Sequence, residues 1–220
     1  GSTSEPKGVM LKHSNICHNL DGAWKAAGVT HNDRLVSWLP LYHDMGLIGL
    51  LTIPMTMGTD LIQGAPQDFL ARPLRWMRWL SDFGGTATAG PNFAYALATR
   101  ALRRCEEPFE LSQVRLFLNG AEPVDPVTFR KFLQAGEPFG LDPDAAFPAF
   151  GMAEVCIAGT FPEPGKGLQT DWVDKRALEI DQKAVQVVPY SEGAVELVFL
   201  GSPIPGMEMR IIDPNTGEEL

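Results

Sequence analysis

Val114-Arg115-Leu116-Phe117-Leu118-Asn119-Gly120-Ala121-Glu122-Pro123-Val124-Asp125-Pro126 is the stretch that decides the fold. Its first five residues are apolar apart from Arg115 and read as a buried strand. A short polar loop, residues 119–123, follows. Asp125 then offers an N-cap, and Pro126 is a proline at the first helical position. Phe129, Phe132 and Leu133 give that helix an apolar face running up to Gly136. A strand that feeds directly into a helix is the repeating unit of a parallel sheet.

The same alternation extends outward over residues 14–150. Ile16, Leu20, Ala23, Trp24 and Ala27 share one helical face, and Gly28 is a stop. Residues 35–39 read as a strand ending at Pro40, and residues 60–62 as a second. Leu74, Met77 and Leu80 predict a helix halted by Gly84-Gly85, with residues 86–88 as the next strand. Asn92 begins another helix, with Phe93, Leu97 and Ala101 inward and Arg100, Arg103 and Arg104 outward. Residues 145–149 form the last strand of the series. The expectation is an α/β fold, a mostly parallel sheet with flanking helices. Past Gly151 the texture changes, with a boundary near residues 155–165. Residues 163–193 are polar, with a short helix over residues 173–183. Residues 194–200 and 207–212 read as strands of a more antiparallel module, and residues 213–217 as a turn.

Composition narrows the function. The chain of 220 residues is long enough for one large domain or two small ones, and its formal charge of −9 disfavours nucleic-acid binding. Cys17, Cys105 and Cys156 lack any paired spacing, which reads as reduced thiols in a cytoplasmic protein. The longest apolar stretch, residues 45–57, is interrupted and too short to be a transmembrane segment. The chain opens inside a motif and ends on Thr216-Gly217-Glu218-Glu219-Leu220, which reads as a piece of a longer protein.

Gly1-Ser2-Thr3-Ser4-Glu5-Pro6-Lys7-Gly8 has the composition of a loop that holds a polyphosphate with backbone N–H groups, hydroxyls and one cation. It is not a Walker A sequence, because Pro6 precedes the lysine and Gly8 follows it. No Gly-x-Gly-x-x-Gly and no Gly-x-Ser-x-Gly is present, which disfavours dinucleotide binding and a serine-hydrolase elbow. In such folds ligands gather beyond the carboxyl ends of the strands. Three polar clusters fall there: residues 40–46 with His43, residues 119–123 with Glu122, and residues 150–154 with Phe150 and Glu154. Each has a plain alternative. His43 beside Asp44 also suits a capped loop histidine, the two glutamates suit exposed carboxylates near helix starts, and Phe150 suits the core. Together they suit a nucleotide–Mg²⁺ site.

The loop Gly1–Gly8 resembles the phosphate-loop signature of the adenylate-forming superfamily, which includes acyl-CoA synthetases, luciferases and peptide-synthetase adenylation domains. Residues 37–49, 90–95, 119–124 and 150–154 resemble, in family order, the fatty acyl-AMP ligase branch. The resemblance implies that Ser2, Thr3, Ser4 and Lys7 hold the phosphates of ATP, and that Glu154 with Thr3 binds Mg²⁺. It also implies that Gly120, Ala121 and Glu122 line the adenine pocket, that Phe150 stacks on the base, and that Gly151, Met152 and Ala153 complete the motif around it. His43 stands between nucleotide and acyl group, while Gly90, Pro91, Asn92 and Tyr95 border the acyl tunnel. Lys7, His43 and Glu154 are thus the implied catalytic residues.

The implied reaction is attack of a fatty acid carboxylate on the α-phosphate of ATP, giving acyl-AMP and pyrophosphate without a protein nucleophile. Ala153 in place of the usual Thr fits the acyl-AMP ligase branch, and Phe150 in place of Tyr keeps the ring and loses the hydroxyl. The resemblance divides the chain into an α/β core of an adenylation domain at residues 1–160, a branch-specific insertion at 161–193, and the start of a β subdomain at 194–220. The insertion implies delivery to the phosphopantetheine of an acyl carrier protein, or of a polyketide or peptide synthase carrier domain. A fatty acyl-CoA synthetase and a binding fragment without turnover are the alternatives. The ribose-binding motif and the mobile C-terminal domain with its catalytic lysine are expected outside these residues, so the chain alone is expected to be a poor catalyst.

Overall fold

The computed structural model describes residues 8–219. Helix α1 spans His13–Ala26 and descends to strand β1, Arg34–Ser37. A π-helical segment, Met45–Thr52, runs into the short α2, Ile53–Met57. Then come β2 (Asp60–Gln63), α3 (Pro66–Ala71), α4 (Leu74–Asp82), β3 (Ala87–Gly90), α5 (Asn92–Leu102), β4 (Leu116–Asn119), α6 (Pro126–Gly136) and β5 (Ala146–Pro148). The five strands pair in the order β2-β1-β3-β4-β5, all parallel, as the strand–helix alternation predicts.

Alternation along each strand divides the sheet into two faces. On one, Trp76, Tyr95, Phe117, Phe129 and Phe132 are fully buried and in ring-to-ring contact. The Trp76 indole N–H donates to Thr88 Oγ1 (2.7 Å), which donates to the Val36 carbonyl (2.7 Å). The other face, with Leu35, Ala87, Leu116 and Phe147, looks toward α1 and the π-helical segment. Asp33, buried just below β1, accepts two bonds from Arg115 (2.7 and 2.6 Å), one from the Thr86 hydroxyl (2.7 Å) and one from the Thr30 N–H (2.7 Å). Burial pushes its carboxyl up, but those bonds outweigh it and hold the pKa at about 2.

Three local expectations need correction. In α5 the buried residues are Ala94, Tyr95, Ala98, Thr99 and Leu102, while Phe93 is exposed. The helix is apolar nearly all round, so packing on α6 set its phase, not its own periodicity. Residues 173–183 begin as strand: β8 covers Thr170–Asp174, and Asp174 caps the one-turn α7, Lys175–Glu179, at the Ala177 N–H (2.7 Å). Residues 207–212 form no ladder, only an Ile212–Glu219 bridge, because no described strand lies beside them.

A second sheet orders β10 (Ser202–Pro203), β7 (Ala158–Phe161) and β6 (Phe150–Gly151), all antiparallel. A third pairs β8 with β9, Ala194–Val198. Residues 161–193 and 194–219 therefore share the β8–β9 sheet. Arg130 of α6 reaches Glu196 of β9 (2.5 Å), whose carboxylate also accepts from the Thr170 hydroxyl (2.7 Å). The buried Asn19 of α1 donates its amide to the Ala158 carbonyl (2.8 Å) and accepts the Ala158 N–H (3.0 Å), taking the place of a neighbouring strand.

Candidate functional site

Three loops converge beyond the carboxyl edge of the parallel sheet. The first, after β1, carries His43 and Asp44. The Met45 N–H donates to Asp44 Oδ1 (2.7 Å), and His43 Nδ1 lies 2.9 Å from that same oxygen. This pairing fixes both side chains at the start of the π-helical segment. Gly46 is required there, since a Cβ would collide with the Pro40 carbonyl.

In the second loop, after β4, Ala121 sits at φ 71°, a left-handed conformation that strains any residue with a Cβ. The polar side chains around it are occupied in holding the turn. Glu122 Oε1 accepts the Asn92 N–H at the first turn of α5 (2.9 Å). Asn92 Oδ1 accepts from Asn119 Nδ2 (3.1 Å) and from the Asp125 N–H (3.0 Å), and its amide donates to the Pro123 carbonyl (2.8 Å). Asp125 caps α6 through the Val127 and Thr128 N–H groups.

Gly151 of the third loop approaches the Ile157 carbonyl so closely that no side chain fits. That approach turns the chain so that Phe150 and Met152 stand partly exposed at the rim. Glu154 is exposed on a 3₁₀ turn, Ala153–Val155. Behind it Cys156 is buried at φ 82°; burial pushes its thiol pKa up, and the Asp44 charge adds to that, so it is a packed and unreactive thiol.

Between these loops opens a cavity of about 320 Å³. Its walls include His43, Gly120, Ala121, Phe150, Gly151 and Met152, which the sequence assigned to the site. Glu122, Ala153 and Glu154 stand beside it and are not among its walls. Gly90, Pro91, Asn92 and Tyr95 do not border it. Tyr95 is fully buried in the aromatic core and donates its hydroxyl to the Leu118 carbonyl (2.6 Å), and burial drives that hydroxyl's pKa well up. Gly90 ends strand β3, Asn92 belongs to the loop network after β4, and Tyr95 packs in the aromatic layer behind the sheet. Ser2, Thr3, Ser4 and Lys7 lie outside the described residues. Among the described residues no three His, Cys, Asp or Glu side chains gather as a metal-binding group, and Glu154 stands by itself.

Sequence reasoning missed the deeper walls. They come from α1 (Ala23, Trp24), from the π-helical segment (Met45, Gly49, Leu50) and from Ala87 and Ala89 of the central strand. These residues look like ordinary core, and only their arrangement leaves space.

A parallel sheet with its cleft at the carboxyl edge, a strained loop and an aromatic rim defines an α/β domain with a ligand cleft. The model of the AMP-binding enzyme family matches residues 1–220, and the chain belongs to that family. It is 45% identical over 217 residues to the protein Rv1013 of Mycobacterium tuberculosis, covering 97% of this chain and 39% of that protein. It is 36% identical over 218 residues to the medium-chain-fatty-acid–[acyl-carrier-protein] ligase JamA of Moorena producens, covering 98% and 37%. The crystal structure of a fatty acyl-adenylate ligase from L. pneumophila, in complex with acyl adenylate and pyrophosphate, superposes with a TM-score of 0.90. That match has 36% identity and covers 98% of this chain and 38% of that one. The chain thus spans about two fifths of the length of the relatives it matches.

Proposed function

We propose that this chain carries the acyl-adenylate site of an ATP-dependent ligase that activates fatty acid carboxylates. The observation that carries this reading is the one cavity with two unlike ends. Its mouth has an aromatic ring, the backbone of a tight loop and the His43–Asp44 pair, while its depth is walled by hydrocarbon. Phe150 and the Gly120–Ala121 backbone suit a flat base, and His43 stands where a carboxylate entering from the apolar side meets the α-phosphate. The carboxylate oxygen attacks that phosphorus, the bond to pyrophosphate breaks, and acyl-AMP remains with its tail in the cavity.

Catalysis here is positioning and charge neutralisation, with no covalent enzyme intermediate. Ser2, Thr3, Ser4 and Lys7 are assigned to the phosphates. Mg²⁺ would be held by one or two carboxylates together with substrate phosphates; the exposed Glu154 carboxylate fits that need, and Thr3, outside the described residues, is assigned to the same ion. The ion, when bound, neutralises phosphate charge. The product is assigned to a carrier-protein phosphopantetheine, in line with the name of the Moorena relative.

The test is fatty-acid-dependent pyrophosphate release by the full-length protein, with Glu154→Ala beside it. Release should depend on fatty acid and Mg²⁺ and fall at least 100-fold in the variant. Release that ignores fatty acid, or a fully active variant, overturns the reading. Transfer to free coenzyme A in preference to a pantetheinylated carrier protein would make the enzyme an acyl-CoA synthetase.

A further inference from the structure

The cavity runs down the sheet, not merely across its edge. Its upper walls, Gly120 and Phe150, lie at the carboxyl ends of the strands; its lower walls, Leu35, Ala87 and Leu116, lie at their amino ends. From Leu116 to Gly120 is four residues, about 13 Å at roughly 3.3 Å per residue. The trough exists because the central strand carries Ala87 and Ala89 on this face. Ala87 pairs with Leu35 on one side and Leu116 on the other, so two large side chains flank a small one.

Trp24, in the last turn of α1, is among the walls at the lower end, with Ala27 and Val29. Its ring is half-buried, lies 5.8 Å from the His31 ring, and its carbonyl accepts the Val29 N–H (3.2 Å), which ties the turn beneath it. Among the described residues no charged side chain lines this lower end. The hydroxyl of the Thr88 wall is already engaged by Trp76 and Val36. The space suits methylene groups and offers nothing to a polar one.

We propose that Trp24 is the length stop of the acyl chain: the methyl end abuts the indole, and Ala87 sets the depth of the trough above it. This rests on the acyl-adenylate reading of the cavity and adds its specificity. A path of about 13 Å accommodates about ten carbons, at roughly 1.3 Å of zigzag advance per carbon–carbon bond. The site is thus assigned to medium-length chains.

The experiment is a chain-length profile of acyl-adenylate formation by the full-length protein, using saturated acids from octanoate to octadecanoate. Trp24→Ala, Trp24→Phe and Ala87→Leu are compared with the unsubstituted protein. Trp24→Ala should move the optimum to longer chains and raise the kcat/KM ratio of hexadecanoate over decanoate about tenfold or more. Trp24→Phe should move it less, and Ala87→Leu should move it to shorter chains. The KM for ATP should not change in any of them, which a general loosening of the fold would not spare. A folded Trp24→Ala protein with the original profile overturns the length stop. Should Trp24→Ala fail to fold, the Ala87→Leu profile decides: no shift to shorter chains overturns the trough. An unsubstituted protein that adenylates no fatty acid overturns the acyl-adenylate reading itself, and the length stop with it.

Discussion

Two buried carboxylates hold two very different parts of this molecule by the same means. Asp33 accepts from Arg115 and a threonine hydroxyl at the base of the parallel sheet; Glu196 accepts from Arg130 and a threonine hydroxyl at the β8–β9 sheet. In both, burial raises the carboxyl and the donated bonds bring it down below its ordinary value. Around Asp33 the sheet is covered on both faces, and Trp76, Phe117 and Phe132 are fully buried. Around Glu196 the strands have almost no layer to press against. Val173 is buried, but Ile180, Val188 and Tyr190 are largely exposed. A two-stranded sheet of this kind is marginal without a packed face. The same polar device is therefore an accessory in one region and the principal tie in the other.

The largest effect should come from the covered region. Trp76→Ala removes a fully buried indole and leaves the Thr88 hydroxyl short of its donor, a cost of about 4 kcal/mol. Denaturant unfolding should show the loss in one cooperative transition; a loss confined to one probe would mean the sheet is not a single unit.

Acid should act next. The Asp33 pKa of about 2 lies below the ordinary 3.8, so the unfolded chain takes up the proton first as pH falls. The resulting stabilisation, roughly 2 kcal/mol by linkage, is complete above about pH 5 and disappears as pH falls toward 2. Asp33→Asn should flatten stability against pH over that window. An unchanged slope would assign acid sensitivity to other carboxylates.

The smallest global effect belongs to Glu196→Gln, about 1 kcal/mol, since Arg130 is partly exposed and regains water. Its signature is local. Amide exchange in β8 and β9 should accelerate while that of β3 and β4 does not. Equal acceleration in both would erase the contrast between the regions.

The β4–loop–α6 stretch was legible because three signals agreed there: an apolar strand, a proline-flanked N-cap at Asp125 and a one-sided helix. The mouth of the cavity was legible for a related reason, since polar loops at the carboxyl edge of a parallel sheet collect ligands. Asn92 and Glu122, assigned to the site by resemblance and by their place in that loop, also hold the turn. Their side chains satisfy the backbone of the turn, a need as strong as ligand binding and indistinguishable from it in a sequence. The inward stripe of α5 was read at Phe93, Leu97 and Ala101, because the helix is apolar on almost every side and its own pattern does not reveal which stripe faces α6. The trough was invisible because Ala87 and Ala89 are unremarkable singly; the hollow belongs to three strands at once. Residues 207–212 alternate like a strand, yet a ladder needs a partner that no single segment can announce.

The double bond between Asn19 and Ala158 has one further consequence. A side-chain amide that imitates a peptide group couples a helix to a strand edge as firmly as strand to strand. Helix α1 and strand β7 therefore travel together, as a rigid bracket along one flank of the cleft. The opposite flank is the π-helical segment, with glycines at 46 and 49 and a looser turn spacing. A bulkier guest is therefore expected to displace that segment before it displaces α1 or β7.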